Sequence, residues 1–266
     1  MLTATASQRI CGTRVDAVSY QDVIAQVTAW AQRSESRSVC CANVHMVMEA
    51  FDSPAYRAIL DRADLVTPDG MPLVWALRLL GLKRAQRTYG PDLTTLLLAE
   101  AERQGLPVGF HGASPSVLGQ LILNVRRRHP ALRIVYHYSP PFRKLNKLER
   151  ELQIAVIQDS GARLLFVGLG CPKQEHWVID HRDRIPAVML AVGAAFDFLA
   201  GATPQAPRWM MAVGLEWLFR LATEPGRLWL RYFRHNPRFV GHFLMQLLDC
   251  RSGLPERHDG ADRTVS

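Results

Sequence analysis

Long apolar runs are missing from this 266-residue chain. No stretch reaches the roughly 18 uninterrupted apolar residues that a membrane-spanning helix needs. The longest, Ala187 to Phe196, has the length of a buried strand. The N-terminus, MLTATASQRI, lacks the basic-then-apolar order of a secretion signal, so a cytoplasmic location is expected. No C-x-x-C pair occurs. The five cysteines, Cys11, Cys40, Cys41, Cys171 and Cys250, are odd in number, which suits reduced thiols better than a disulfide framework. Metal-binding patterns are scarce too: there is no H-E-x-x-H and no strict D-x-D. His176 and His181 stand five apart, off any shared helix face. His45, His111, His129 and His137 read as structural or surface groups, and neither a metal nor a cofactor is expected. Repeats and low-complexity segments are absent.

What is present is ordinary globular composition, with 48% hydrophobic and 21% charged residues and a formal charge of +8. That surplus suits an acidic partner: nucleic acid, anionic lipid or a phosphorylated substrate.

The first ~200 residues alternate strand and helix patterns, which indicates an α/β domain. Strands are expected at 38–42, 65–66, 108–111, 133–138, 163–167 and 187–192. Helices are expected from Met46 and over 93–104, 116–128, 147–159 and 175–183. Loops rich in glycine or proline follow several strands, at the edge of an α/β sheet where ligands bind. Residues 1–204 form the expected core. From 205 to 250 the composition changes to six arginines, no lysine and three acids, with Trp209, Trp217 and Trp229. This segment reads as a helical appendage, followed by a polar, unstructured tail at 251–266.

Four constellations can carry chemistry. The turn T-P-D-G fixes Asp69 after a strand, as a general base or as an Asx-turn that caps the next helix. The turn G-L-G-C-P-K-Q-E brings Gly168, Gly170, Pro172, Lys173, Gln174 and Glu175 to a helix N-terminus suited to phosphate; it reads equally as a plain tight turn. It lacks the third glycine of a dinucleotide fingerprint, and no G-K-[ST] of a Walker loop occurs. In R-T-Y-G-P-D, Arg87 offers a fork for a diphosphate and Asp92 a carboxylate; the plainer reading is a surface arginine and a helix cap at Asp92. In the appendage, Arg227, Arg231, Arg234 and Arg238 recur at helical spacing on one face, with Leu228, Leu230, Phe233 and Val240 elsewhere. That face suits anionic headgroups, or is simply the solvated side of a packed helix. Pro237 is expected to kink or end the helix.

Taken in order, these motifs resemble the WecG/TagA/CpsF family of bacterial glycosyltransferases over about residues 10–240. The resemblance rests on C-A-N-V-H-M (41–46), T-P-D-G (67–70), R-T-Y-G-P-D (87–92), G-L-G-C-P-K-Q-E (168–175) and V-G-A-A-F-D-F-L-A-G (192–201). It continues through G-L-E-W-L-F-R (214–220) and E-P-G-R-L (224–228). It implies a Rossmann-like α/β domain and an inverting, metal-independent transfer of N-acetylmannosamine, a related uronic acid or glucose. The donor is a UDP-sugar and the acceptor an undecaprenyl-diphosphate-linked sugar, in cell-surface, teichoic acid or exopolysaccharide synthesis. It implies Asp69 as base. It implies Asn43, Arg87 and Gln174 in the donor site, and an appendage that meets the membrane and closes over the site. Beside them, Cys41, Asp92, Gly168, Gly170, Pro172, Lys173 and Glu175 are assigned to the donor, and Arg220, Arg227, Arg231, Arg234 and Arg238 to the acceptor diphosphate and the membrane. The protein would then sit peripherally on the inner face of the plasma membrane, bind no nucleic acid, and be compatible with a homo-oligomer. Cys41 stands where the family often has threonine, and Gln205 where it often has arginine. Tyr138 to Arg143, Y-S-P-P-F-R, resembles members from exopolysaccharide clusters. A nucleotide-dependent oxidoreductase and a non-catalytic membrane-surface binding protein are the alternatives from other classes.

Overall fold

A computed structural model describes residues 5–252; the side chains of Arg227 and of residues 250–252 lie outside the description. The elements in order are β1 (Ser7–Ile10), β2 (Thr13–Asp16), α1 (Tyr20–Gln32), β3 (Arg37–Ala42), α2 (Val44–Asp52), α3 (Pro54–Asp61), β4 (Leu65–Pro68), α4 (Met71–Leu79), α5 (Gly90–Gln104) and β5 (Val108–Gly112). There follow α6 (Pro115–Arg128), β6 (Ile134–Tyr138), α7 (Lys147–Ser160), β7 (Leu164–Gly168), α8 (Lys173–Asp180), β8 (Val188–Ala191), α9 (Ala195–Ala200), α10 (Arg208–Ala212), α11 (Glu216–Thr223) and α12 (Pro225–Ser252).

β3 to β8 form one sheet in the order β4-β3-β8-β7-β5-β6, every pair parallel. Parallel pairs need crossovers, and these place helices on both faces. The strands are accordingly apolar on both sides and split by period two. Cys40, Ala42, Val66, Leu165, Val167 and Met189 pack with α2, α3, α4 and α8. Val39, Cys41, Leu65, Phe110, Phe166 and Leu190 pack with α1, α5, α6 and α9. This is the α/β architecture with a helical C-terminal segment expected from the alternation. The chain changes direction across the sheet between β3 and β8 and again between β5 and β7. The carboxyl ends of these strands therefore surround a crevice.

Several boundaries and elements differ from the sequence expectation. The hairpin β1–β2 was not foreseen; its turn uses Cys11 and Gly12, both at positive φ (47° and 82°), as a two-residue hairpin turn requires. The apolar run from Ala187 is not one strand: it breaks at Gly193 (φ 59°) and resumes as α9. Most of all, Pro237 does not end the appendage helix, which runs 28 residues from Pro225 to Ser252. A proline inside a helix forfeits one backbone bond. Here packing on both sides of it holds the helix: Leu228, Phe239 and Phe243 are buried, the last two within the core on the α2 side of the sheet. Further along, Gln246 donates to the Arg9 carbonyl (2.6 Å) and accepts from the Cys11 amide (2.9 Å). The appendage is thus fastened from α2 to the hairpin. Residues 251 and 252, expected in the tail, are helical; the rest of the expected tail, 253–266, lies outside the described residues.

One glycine sets how closely the strand ends approach. Gly112 ends β5 at φ 127°, and a Cβ there would stand 2.4 Å from the Gly168 carbonyl oxygen at the end of β7. Gly112→Ala is therefore expected to cost about 3 kcal/mol or more, from a strained φ plus an overpacked backbone contact. Denaturant unfolding of the two proteins checks it.

Candidate active site

Two cavities meet at the carboxyl ends of the strands. The larger has a volume of about 410 Å³ and is walled by the loops after β3, β4, β5, β7 and β8, with Arg220 and Arg231 over it from the appendage. The second, about 130 Å³, lies between the turn after β4 and helices α11 and α12. Asn43, His45, Asp69, Tyr89, Arg220 and Arg231 line both, so the two are one cleft with two compartments.

Asp69 stands at the junction. Its amide donates to the Ala42 carbonyl (2.8 Å), which ties the turn to the end of β3. Its Oδ1 accepts from the Gly90 amide (3.2 Å) at the start of α5. It does not cap the helix that follows it: the N-cap of α4 is Gly70, with no side-chain bond. That removes the Asx-turn alternative in the form expected. Burial pushes the Asp69 carboxyl up to about 7; Arg87 acts against the rise and Glu216 adds to it. A carboxylic acid poised near neutrality in a cleft is suited to general base work.

Arg87 joins these groups. Its Nε donates to the Asp69 carbonyl at 2.5 Å, one Nη hydrogen-bonds Glu216, and the same nitrogen lies 4.0 Å from Asp69 Oδ1. The guanidinium also covers the Tyr89 ring, 4.2 Å from its centroid. The guanidinium is thus held by protein through two of its nitrogens and one face, while it still lines the second compartment. Glu216, at the start of α11, completes this cluster and is not among the residues that the sequence motifs single out. It was visible only as the E of G-L-E-W, and its partner is 129 residues away.

The glycine-rich turn forms the opposite wall. Gly168 allows the Phe196 ring to lie against the backbone, where a Cβ would meet it at 2.8 Å. Gly170 takes φ 79° and the Cys171–Pro172 peptide is cis. Gln174 is buried, and its Oε1 accepts from two amides, Gly170 (3.2 Å) and Gly193 (3.1 Å), while its amide donates to Glu175 (2.8 Å). Burial pushes the Glu175 carboxyl up. Gly168, Gly170, Gln174 and Glu175 all line the cleft. Pro172 is the N-cap of α8 and Lys173 its exposed first residue, and neither lines the cleft. On the third side, Asn43 caps α2 through Met46 (3.1 Å) and Cys41 lines the floor, its thiol pushed up to about 12 by burial and so protonated.

Asp92 falls elsewhere. α5 begins at Gly90, so Asp92 lies in its first turn instead of capping it. It lines a third cavity with Gln205, Arg208 and Met211 of the appendage, which shares Met71, Arg87 and Tyr89 with the second compartment.

The appendage arginines divide. Arg220 and Arg231 point into the cleft. The Arg220 guanidinium stands 5.5 Å from the Phe198 ring centroid, and its Nε is buried without a hydrogen-bond partner among the described residues. Arg238 binds Asp52 of α2 through both nitrogens (2.9 and 2.5 Å) and so serves packing. Arg234 is exposed, and the Arg227 side chain lies outside the description. The outer face of α12 is apolar: Trp229, Leu230, Phe233, Val240, Leu244, Met245 and Leu248 are exposed, Phe233 to 75%. Trp209 and Trp217 continue this surface on α10 and α11. No helix among the described residues is long and apolar enough to cross a membrane.

Relatives place this cleft among known proteins. The sequence profile described as "Glycosyl transferase WecG/TagA/CpsF family" matches residues 8–253. The "N-acetylglucosaminyldiphosphoundecaprenol N-acetyl-beta-D-mannosaminyltransferase" of Bacillus spizizenii is 33% identical over 214 residues, a match that covers 80% of this chain and 80% of that protein. A match across nearly all of the described residues settles the assignment: the chain belongs to the WecG/TagA/CpsF family and is a glycosyltransferase.

Proposed function

We propose that the protein moves a sugar from a UDP-sugar to a polyprenyl-diphosphate-linked saccharide in a single, inverting displacement. The observation that carries this is Asp69, a carboxyl near neutrality where the two compartments meet. The nucleotide-sugar occupies the compartment beneath the strand ends, among the Gly168 and Gly193 turns. The acceptor enters through the compartment under α11 and α12. Asp69 takes the proton of the acceptor hydroxyl as its oxygen attacks the anomeric carbon, and the nucleoside diphosphate leaves. Fixed cations can stabilise the charge that develops on the leaving oxygen. Arg220 and Arg231 overhang both compartments and are assigned that role. Arg87 is held by Asp69, Glu216 and Tyr89, so its role is to fix the base instead of forking the diphosphate.

The acceptor class follows the relative whose name carries N-acetylglucosaminyldiphosphoundecaprenol. A lipid acceptor also explains the apolar outer face of α12, which is long enough and amphipathic enough to lie in a membrane surface. We place the enzyme peripherally at the inner face of the plasma membrane, with Arg234 among the headgroups. N-acetylmannosamine, a related uronic acid and glucose remain the donor sugars to compare.

Asp69→Asn is expected to lower turnover roughly 100- to 10,000-fold with UDP affinity nearly intact; turnover within a few-fold of the parent would refute the assignment. Because the ionised carboxylate is the base, kcat/KM should rise with pH through about 7 and level off above it. Glu216→Gln removes the negative neighbour that raises the Asp69 pKa, so the inflection should move to lower pH. An unmoved inflection would separate Glu216 from the base. Replacing Trp229 and Phe233 together by serine should weaken sedimentation with anionic vesicles at least tenfold while UDP binding persists.

A further inference from the structure

One cluster at the edge of the cleft has no place in the proposed chemistry, although His45 lines both compartments and His235 the second. His45 and Glu49 are four apart on α2, so they share a helix face. His235 of α12 comes down on them: the two imidazole centroids are 4.9 Å apart with the rings at 60°. His45 Nδ1 stands 3.8 Å from Glu49 Oε1, and His235 Nε2 stands 3.6 Å from the same oxygen. All three atoms lie within 4.8 Å of one another.

These separations are too long for hydrogen bonds. They are close to the spacing of ligands that share an ion: bonds of about 2.0–2.1 Å in a tetrahedron put neighbouring donors roughly 3.3–3.4 Å apart. Closing the two histidine–carboxylate gaps takes a few tenths of an ångström, and the two imidazole donors, within 4.8 Å, must approach by up to about 1.4 Å. The donor atom of His45 is buried with no hydrogen-bond partner among the described residues. Such an unsatisfied nitrogen is costly unless something engages it. Burial lowers the pKa of both rings and favours the neutral imidazole, the form that ligates. Two imidazoles and one carboxylate suit Zn²⁺ and its first-row neighbours, whereas Mg²⁺ and Ca²⁺ require oxygen donors. Arg238, on the next turn of α12, is already neutralised by Asp52.

We propose that His45, Glu49 and His235 form a site for one divalent first-row transition ion that clasps the appendage helix to the core. The two helices it joins carry Asn43, the cap of α2, and Arg231, one turn before His235, and both of these residues line the cleft. The ion would therefore fix the roof against the floor without touching the reacting atoms.

The test reads metal binding directly and does not depend on transfer activity. The tag-free full chain is treated with EDTA, desalted, and titrated with Zn²⁺ alone by calorimetry and with Co²⁺ alone by visible absorption. One equivalent is expected to bind, with the d–d bands of low-coordinate Co²⁺, and Zn²⁺ should raise the thermal midpoint by about 3 °C or more. His235→Asn and Glu49→Gln should each weaken binding at least tenfold, with unchanged circular dichroism. Absence of stoichiometric binding by the parent chain, which needs no variant to fold, would overturn the proposal. So would binding that both variants retain, since the ion would then sit on other histidines.

Discussion

One guanidinium holds the working end of this molecule together. Arg87 lies between the carboxylates of Asp69 and Glu216, over an aromatic ring, and bonds the backbone of the turn that carries Asp69, the base we propose. Half-buried charges of this kind are tolerable only when each has a partner. Removing any one leaves another uncompensated. The turn after β4, the start of α5 and the first residue of α11 are thereby fixed relative to one another. In the fold, the arginine that sequence offers to the donor also lowers the pKa of the Asp69 carboxyl, which burial raises.

The geometry also explains why a polar cleft and an apolar roof belong to one chain. The strand ends supply backbone amides and short loops, which favour a nucleotide. The appendage supplies two inward cations and an outward row of aromatic and aliphatic side chains. A helix that is apolar on both its inner and outer lines must be covered twice. The core covers one line, from Leu228 to Phe243; a lipid surface is the cover we propose for the other.

Much of the fold was legible in the sequence because it rests on local rules. Strands of a parallel sheet are short apolar runs, three of them here closed by Gly112, Gly168 and Gly193, and all six stand where they were expected. The Thr67–Gly70 and Gly168–Gln174 turns were legible because proline and glycine restrict the backbone whatever surrounds them. What escaped depended on distant partners. Pro237 argued for a helix end, but packing by Phe239 and Phe243 outweighs one lost backbone bond. The arginine face of α12 was correctly placed as a row, yet its members met different neighbours: a cleft, an aspartate on α2, and solvent. Glu216, and the pairing of His45 with His235, depend on contacts between segments far apart in the chain, which no local spacing reports.

Gln174 carries a consequence of its own. A single carboxamide oxygen receives the amides of Gly170 and Gly193, one from each of two neighbouring turns that face the cleft. Either turn that swings away must break its own bond to that oxygen. One buried side chain therefore sets the spacing of two turns that lie 23 residues apart in the chain, and replacing it would release both.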